Sequence, residues 1–130
     1  KMAGLPTLQI SDYWFNVNPK GSYNQPHNHR DSLLSGVYYI DATPEQGRIQ
    51  FYRDDDAEYF MPRLPKYTQI TSQKATYDPA PHKILIFPSW VKHSVEGNPT
   101  DNTRISMSFN TMIAMTPEND EIAKLNGLQQ

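Results

Sequence analysis

Three histidines are spaced so that they could hold one metal ion. His27 and His29 are two residues apart, and Asp31 follows at the same spacing. Residues two apart in an extended chain point to the same side, so the side chains of His27, His29 and Asp31 are expected to face one cavity. His93 lies far along the chain, where it could present an imidazole from the opposite wall of a barrel. Imidazoles with or without a carboxylate suit Fe(II), Zn or Mn, so the ligand types alone do not identify the metal.

The sequence predicts structural roles for several other residues of reactive or aromatic type. His82, in a proline-rich turn, is predicted to be structural, and Trp14 and Trp90 are predicted to be core or rim anchors. The acidic run 54–56 lacks EF-hand spacing and its turn glycine, so it is predicted to be a solvated loop. There is no glycine-rich phosphate loop and no Ser-His-Asp context, which disfavours nucleotide-binding and hydrolase functions.

A polar face is predicted after the last histidine. In a strand, alternate residues share a face, and the polar ones here are Arg104, Ser106, Ser108 and Asn110. Since a sheet normally turns apolar residues toward the core, this face is either exposed to solvent or lines a polar pocket. In a pocket, Arg104 would form a bidentate pair with a ligand carboxylate and Ser106 would add a hydroxyl. Asn24 either hydrogen-bonds a co-substrate or stabilises a turn.

The elements that would position these residues are short strands. Eleven prolines and six glycines separate runs rich in β-branched and aromatic residues, and turn sequences occupy 18–21, 43–47 and 97–101. The predicted strands are 13–18, 33–40, 48–53, 74–77, 83–87, 93–96 and 104–111. The fold class is therefore predicted to be all-β, a double-stranded β-helix of jelly-roll or cupin-like type. A short C-terminal helix is predicted after an N-cap at Thr116 and a proline at Pro117.

The bulk composition limits the domain count and the partners. The 130 residues suit a single domain, 1–130, although the Lys1-Met2 start is compatible with the C-terminal part of a longer chain. A net charge of −2 gives no reason to expect nucleic acid, and no run is apolar enough to span a membrane. Without cysteine or a visible leader, we expect a cytoplasmic protein; a homodimer through a sheet edge or the terminal helix is one option. The long polar segment 54–73 is predicted to be a lid that selects substrate.

Four ordered motifs resemble a known family. They are the H-x-H at His27 to His29, S-G-V-Y-Y at 35–39, F-P-S-W-x-x-H ending at His93, and R-I-S-x-S-F-N at 104–110. This combination, over roughly residues 13 to 112, is similar to the 2-oxoglutarate and Fe(II)-dependent oxygenases, particularly a prolyl-hydroxylase-like branch of bacteria and phages.

The resemblance implies a set of cofactors and site residues. The cofactors would be Fe(II), the co-substrate 2-oxoglutarate and O₂, and the activity would be that of a dioxygenase that hydroxylates a C–H bond. His93 would be the distal metal ligand, and Arg104 with Ser106 would grip the distal carboxylate of 2-oxoglutarate, with a hydrogen bond from Tyr39. For the proximal ligands, the H-x-H of this branch favours His27 and His29. The H-x-D usual in the superfamily makes Asp31 the rival of His27.

Two other functions stay open on the sequence. One is a cupin-like metal enzyme that does not use 2-oxoglutarate, and the other is a non-catalytic jelly roll with a binding or structural role. The fold hosts all of these functions, so it does not decide among them. The primary substrate, a peptidyl side chain or a small molecule, is not specified by any motif.

Overall fold

The computed structural model describes residues 6–53, 64–68 and 72–127 of the chain. These residues form eight strands and a terminal helix, α1. The strands and helix are, in order, β1 Leu8–Asn18, β2 Asn24–His27, β3 Leu34–Asp41, β4 Ile49–Tyr52, β5 Lys74–Tyr77, β6 Ile84–Pro88, β7 His93–Val95, β8 Arg104–Ile113 and α1 Pro117–Gly127.

The strands make two four-stranded antiparallel sheets. The larger sheet has the order β1-β8-β3-β6 and the smaller one has the order β2-β7-β4-β5. Strands distant in sequence are thus neighbours in both sheets, as in a jelly roll. The predicted double-stranded β-helix is confirmed.

The core lies between the two sheets. Alternation puts Val37 and Tyr39 of β3 on the inner face, where they pack with Ile49 of the smaller sheet, and all three are buried. The partly buried side chains that surround this cluster are Phe51, Leu85, Phe87 and Val95. This apolar layer separates the two sheets and forms one wall of the cavity described below.

The outer face of the larger sheet is also apolar. Phe15, Met107, Tyr38 and Ile84 form one row across its four strands. In the next row, Gly36 leaves space for the Phe109 ring, which a Cβ at that position would overlap. Antiparallel sheets usually present polar residues on an exposed face, so this apolar face is unusual.

The sequence located most strands but not all of their bounds. Strand β1 begins five residues before the predicted start, and β8 continues to Ile113. Strand β2 was missed because its four residues, including Pro26, are polar or strand-disfavouring. It pairs with β7 across a bulge.

The turns and the helix follow the predicted chemistry. Gly21 and Gly47 have φ values of 83° and 91° in two of the predicted turns. Thr116 caps α1, since its Oγ1 accepts from the main-chain N–H of Asn119 at 3.3 Å. No helix in the described ranges is long and apolar enough to cross a membrane. The acidic run 54–56 and most of the predicted lid lie outside the described residues.

Candidate active site

The structure brings His27, His29 and His93 together. His27 ends β2, His93 begins β7 directly opposite it, and His29 follows two residues after His27. One ring nitrogen of each histidine lies within 4.8 Å of the others. The ring centroids of His27 and His93 are 4.4 Å apart, and His29 lies 5.3 and 5.2 Å from them. Three imidazoles this close can share one divalent cation.

Asp31, the rival ligand, is not part of this group. The extended alternation that predicted a common direction for its side chain ends at His29. Asp31 has a left-handed φ of 60°, and its side chain is exposed. His82 is also outside the group, as predicted, and its Nδ1 lies 3.0 Å from the Tyr38 hydroxyl.

Each of the three histidines has its Nδ1 next to a carbonyl oxygen. His27 Nδ1 lies 2.7 Å from the main-chain oxygen of Gln25, and His93 Nδ1 lies 3.0 Å from that of Val91. His29 Nδ1 lies 2.7 Å from the side-chain oxygen of Asn110. A carbonyl oxygen only accepts, so each Nδ1 carries the hydrogen. The lone pair of each Nε2 is therefore available to a metal.

His93 is held in its neutral form. Burial lowers the pKa of His93 to about 4, although its hydrogen bond to Val91 acts in the opposite direction. The neighbouring imidazoles of His27 and His29 lower this pKa further. An imidazole that resists protonation stays available as a metal ligand in mildly acidic solution.

A cavity of about 130 Å³ opens beside the three histidines, between the two sheets. Its apolar wall comes from the core, through Val37, Ile49 and Phe87. Its polar wall includes the histidines and the face predicted on β8, with Arg104 and Ser106 both buried. Of the two options left open by the sequence, the polar face lines a pocket.

Arg104 is a buried charged residue that lines this cavity, with 2% of its surface exposed. Its Nη1 donates to the carbonyl oxygens of Gln46 and Gly47 at 2.7 and 2.9 Å. Its Nε is buried and has no hydrogen-bond partner in the described part of the chain. Burial lowers the pKa of Arg104, whereas Tyr39 raises it. A buried guanidinium with an unpaired N–H is costly unless a ligand satisfies it, and a carboxylate is the matching group.

Tyr39, Ser106 and Asn24, the other predicted cofactor-binding residues, also line the cavity. Tyr39 and Ser106 are paired across β3 and β8, and both line the cavity together with Arg104. Burial raises the pKa of the Tyr39 phenol above its ordinary value, although the charge of Arg104 acts in the opposite direction. Tyr39 is therefore a neutral donor at physiological pH. The structure brings every predicted cofactor-binding residue to one cavity.

Some cavity residues were not predicted from the sequence. Trp14, expected to be an anchor, stacks on His29 with ring centroids 5.8 Å apart, and it shares its face of β1 with Asn16 and Asn18. The alternation of these three residues with apolar ones along β1 is the pattern that could have identified them. Trp90 is 68% exposed and lines no cavity described here.

The sequence of the chain matches the family described as "Putative 2OG-Fe(II) oxygenase" over residues 12–110. The chain belongs to this family. The match covers nearly the same residues as the resemblance, 13 to 112, and includes all three histidines and Arg104. The cofactors of this 2OG-Fe(II) oxygenase family are those predicted from the sequence: Fe(II), 2-oxoglutarate and O₂. No curated protein matches the chain.

Several solved structures of other proteins share the fold of this chain. An oxidoreductase of the 2OG-Fe(II) oxygenase family from Burkholderia pseudomallei has a TM-score of 0.67 at 15% identity, covering 87% of this chain and 49% of its own. The α-ketoglutarate-dependent epimerase SnoN of nogalamycin biosynthesis has a TM-score of 0.63 at 16% identity, with 84% and 50% covered. HygX from Streptomyces hygroscopicus, solved with nickel and 2-oxoglutarate bound, has a TM-score of 0.59 at 11% identity, with 85% and 60% covered.

At identities of 11–16%, these similarities establish a common fold. The chain also spans only about half the length of the first two of these proteins. Members of one fold here include an oxidoreductase and an epimerase, so the reaction has to be argued from the site itself.

Proposed function

We propose that this chain is a 2-oxoglutarate- and Fe(II)-dependent dioxygenase that hydroxylates a C–H bond of a peptidyl or small-molecule substrate, releasing succinate and CO₂. The observation that supports it most is the buried Arg104, whose Nε has no partner and which lines the same cavity as three histidines. The family supports the cofactors. The C–H hydroxylation is the part proposed here.

The metal would be held by His27, His29 and His93, the three catalytic residues of the proposal. Their Nδ1–H groups are engaged by carbonyl oxygens, so that the three Nε2 atoms are the donors. Three neutral imidazoles leave the double positive charge of the ion uncompensated. Anionic 2-oxoglutarate is thus expected to strengthen metal retention, because its carboxylates supply the missing negative charge.

The co-substrate would be held by Arg104 together with Ser106, Tyr39 and Asn24. Because Nη1 is occupied by the Gln46 and Gly47 carbonyls, the Nε edge of the guanidinium is the one available to a carboxylate. A hydrogen bond between a carboxylate and a guanidinium stabilises a bound ligand by about 1.5–3 kcal/mol. This interaction would hold the distal carboxylate of 2-oxoglutarate at Arg104, so that its 2-oxo acid end would lie toward the histidines.

The other groups of the site have supporting tasks. Bound Fe(II), with 2-oxoglutarate and O₂, supplies the oxidising power for attack on an unactivated C–H bond. The apolar wall formed by Val37, Ile49 and Phe87 would give the bound ligands a non-polar surface on that side of the cavity. Trp14, stacked on His29, limits the movement of that ring on the side of β1.

Turnover of 2-oxoglutarate tests the proposal. Protein reconstituted with Fe(II) should consume 2-oxoglutarate and form succinate when O₂ is supplied. Arg104→Ala should weaken 2-oxoglutarate binding about ten- to a hundredfold while Ni(II) binding is retained. Arg48→Ala is the matched control, since Arg48 lies on the surface in an ion pair with Glu96 at 2.8 Å. Its turnover should match the wild type.

The outcomes separate the proposal from its rivals. A cupin-like enzyme without 2-oxoglutarate predicts metal-dependent activity that Arg104→Ala leaves intact. A non-catalytic jelly roll predicts no Fe(II) uptake and no succinate. Substrate selection by the segment 54–73, a cytoplasmic location and a homodimer stay predictions.

A further inference from the structure

Side chains from all four sequence motifs meet around Asn110. It lies in β8, at the end of R-I-S-x-S-F-N, and its Oδ1 is 2.7 Å from His29 Nδ1 and 2.8 Å from the hydroxyl of Ser35. Its Nδ2 donates to the Asp12 carboxylate at 3.0 Å. Ser35 opens S-G-V-Y-Y, and its hydroxyl is 2.7 Å from that of Ser89 in F-P-S-W. Apart from His29, none of these polar side chains has a role in the metal or co-substrate contacts proposed above.

The orientation of the Asn110 amide is determined by its partners. A carboxylate only accepts, so the NH₂ end must face Asp12 and the oxygen must face His29. The hydroxyl of Ser35, a buried residue, donates to that same oxygen and opposes a flip of the amide. The amide oxygen in turn requires the hydrogen of His29 to be on Nδ1. Asp12 thus fixes the orientation of the Asn110 amide, and that orientation leaves the Nε2 lone pair of His29 free to bind a metal.

His29 differs from the other two histidines in this respect. His27 and His93 are oriented by main-chain oxygens two residues before them, which side-chain substitutions do not remove. Of the three cavity histidines, His29 is the one whose Nδ1 is bonded by a side chain. Asn110 also links the negatively charged Asp12 carboxylate to His29 through two hydrogen bonds, so one negative charge lies near the three imidazoles.

From these contacts we infer that Asn110 is a positioning residue for His29, and that Asp12 and Ser35, acting through it, set the His29 tautomer and raise the metal affinity of the site. The inference rests on the proposed metal site, but it does not require 2-oxoglutarate turnover. Partners of this kind typically change metal affinity about ten- to a hundredfold. Asn110 does not touch the metal in this role, so its effect should be on affinity and tautomer.

The first test measures the tautomer in the metal-free protein. Ring ¹⁵N shifts of His29 at neutral pH should show the hydrogen on Nδ1 in the wild type. In Asn110→Ala the Nε2–H form, the usual one in solution, should become the major one. A wild-type His29 with its hydrogen on Nε2 would overturn the inference even if no variant folds.

The second test measures Ni(II) affinity by calorimetry without 2-oxoglutarate. Asn110→Ala should bind about ten- to a hundredfold more weakly, and Ser35→Ala should show a smaller loss in the same direction. Asn119→Ala is the matched control, because Asn119 is a buried amide that bonds the main chain of Thr7 and Ala114 away from the cavity. It should lower stability with unchanged Ni(II) affinity. Equal affinity of Asn110→Ala and wild type would contradict the inference.

Exchanging the two partners supplies a rescue experiment. Asn110→Asp alone places two carboxylates together and should destabilise the fold. With Asp12→Asn added, an amide again donates to a carboxylate that accepts from His29, so Ni(II) affinity should return to within about threefold of the wild type. No rescue relative to Asn110→Ala would contradict the inference. Failure of the wild type to turn over 2-oxoglutarate while these Ni(II) results hold would refute the proposed function alone.

Discussion

The guanidinium of Arg104 donates from Nη1 to the carbonyl oxygen of Gly47 at 2.9 Å. Gly47 ends a turn whose shape is set by Gln46, a fully buried side chain that accepts from the main-chain N–H of Thr43 at 2.8 Å and donates to the carbonyl of Asn102 at 3.0 Å. The direction in which Arg104 presents its Nε therefore depends on a turn between β3 and β4.

A side chain at Gly47 should disturb both stability and co-substrate binding. Its φ of 91° is unfavourable for other residues, and a Cβ would overlap the carbonyl of Glu96. We expect Gly47→Ala to lower the free energy of unfolding by about 1–3 kcal/mol and to weaken 2-oxoglutarate binding to the Ni(II)-loaded protein. Urea denaturation and calorimetry measure the two effects.

Gly21→Ala is the control for that experiment. Gly21 has a similar φ of 83°, but a Cβ there meets no atom within 4 Å. Gly21→Ala should lower the free energy of unfolding by about 1 kcal/mol through backbone strain alone, and it should leave the affinity for 2-oxoglutarate unchanged. If Gly47→Ala changes stability alone, as Gly21→Ala does, the turn does not position Arg104.

The stability of the metal-free protein should depend on pH through His93. Its pKa is lowered to about 4 in the folded state, against about 6.5 in an unfolded chain. The unfolded state binds more protons between these values, so this contribution is complete above pH 6.5 and is lost as the pH falls toward 4, by at most about 1.4 kcal/mol per pH unit.

Urea midpoints measured in chelator between pH 4 and 7.5 test this dependence. His93→Gln should have a flatter profile than the wild type over that interval. His82→Gln removes an exposed histidine outside the cluster and should leave the profile unchanged. Parallel profiles for wild type and His93→Gln would show that burial of His93 does not control the acid sensitivity.

Metal binding should quench the fluorescence of Trp14. Its ring is stacked on His29 with centroids 5.8 Å apart and an interplanar angle of 22°, so an open-shell ion on His29 would lie close to the indole. Trp90→Phe leaves Trp14 as the only indole of the chain. Co(II) or Ni(II) should then quench the emission in proportion to occupancy, whereas Zn(II) should quench it little. Unchanged emission at saturating Ni(II) would contradict the histidine site.

The sequence predicted which side chains meet at the cavity better than it predicted the strands that carry them. His27, His29 and Arg104 were identified by residue type and spacing, because imidazole pairs and a charge on an alternating strand are local patterns. Strand β2, which carries His27, was missed because its formation depends on pairing with β7, a contact far along the chain. Asp31 lies outside the histidine group and has a left-handed φ of 60°, a backbone conformation that no glycine marks in the sequence.

The positions of supporting residues could not be predicted for a related reason. Asn110 was placed on the correct face of β8, but its partners Asp12 and Ser35 come from β1 and β3. Their meeting follows from the strand order β1-β8-β3, which alternation does not specify. The partners of Arg104 are main-chain carbonyls, which leave no trace in residue type.

The apolar outer face of the larger sheet should make the 130-residue chain self-associate. Tyr13, Phe15 and Val17 on β1 and Ile84 and Ile86 on β6 are each 52–63% exposed. With about 100 Å² for each, they form a patch of roughly 500 Å², which is large for a monomer surface. We expect the sedimentation coefficient to rise with protein concentration, and Phe15→Thr with Ile86→Thr to reduce that rise.

Binding of Ni(II) should be unaffected in this double variant, because the two side chains point away from the cavity lined by Trp14 and Asn16. A chain that stays monomeric across the concentration range would show that the face tolerates water. The homodimer predicted from the sequence would then need a different surface, such as the edge strand β1 or α1.

Anaerobic titration with Fe(II) and then 2-oxoglutarate tests the central claim most directly. A metal held by His27, His29 and His93 beside Arg104 predicts a visible charge-transfer band that appears when both are present and saturates at one equivalent of each. Arg104→Ala should need far more 2-oxoglutarate to produce the band, and His93→Ala should not produce it. A wild-type protein that retains Fe(II) and shows no band at saturating 2-oxoglutarate would contradict the account.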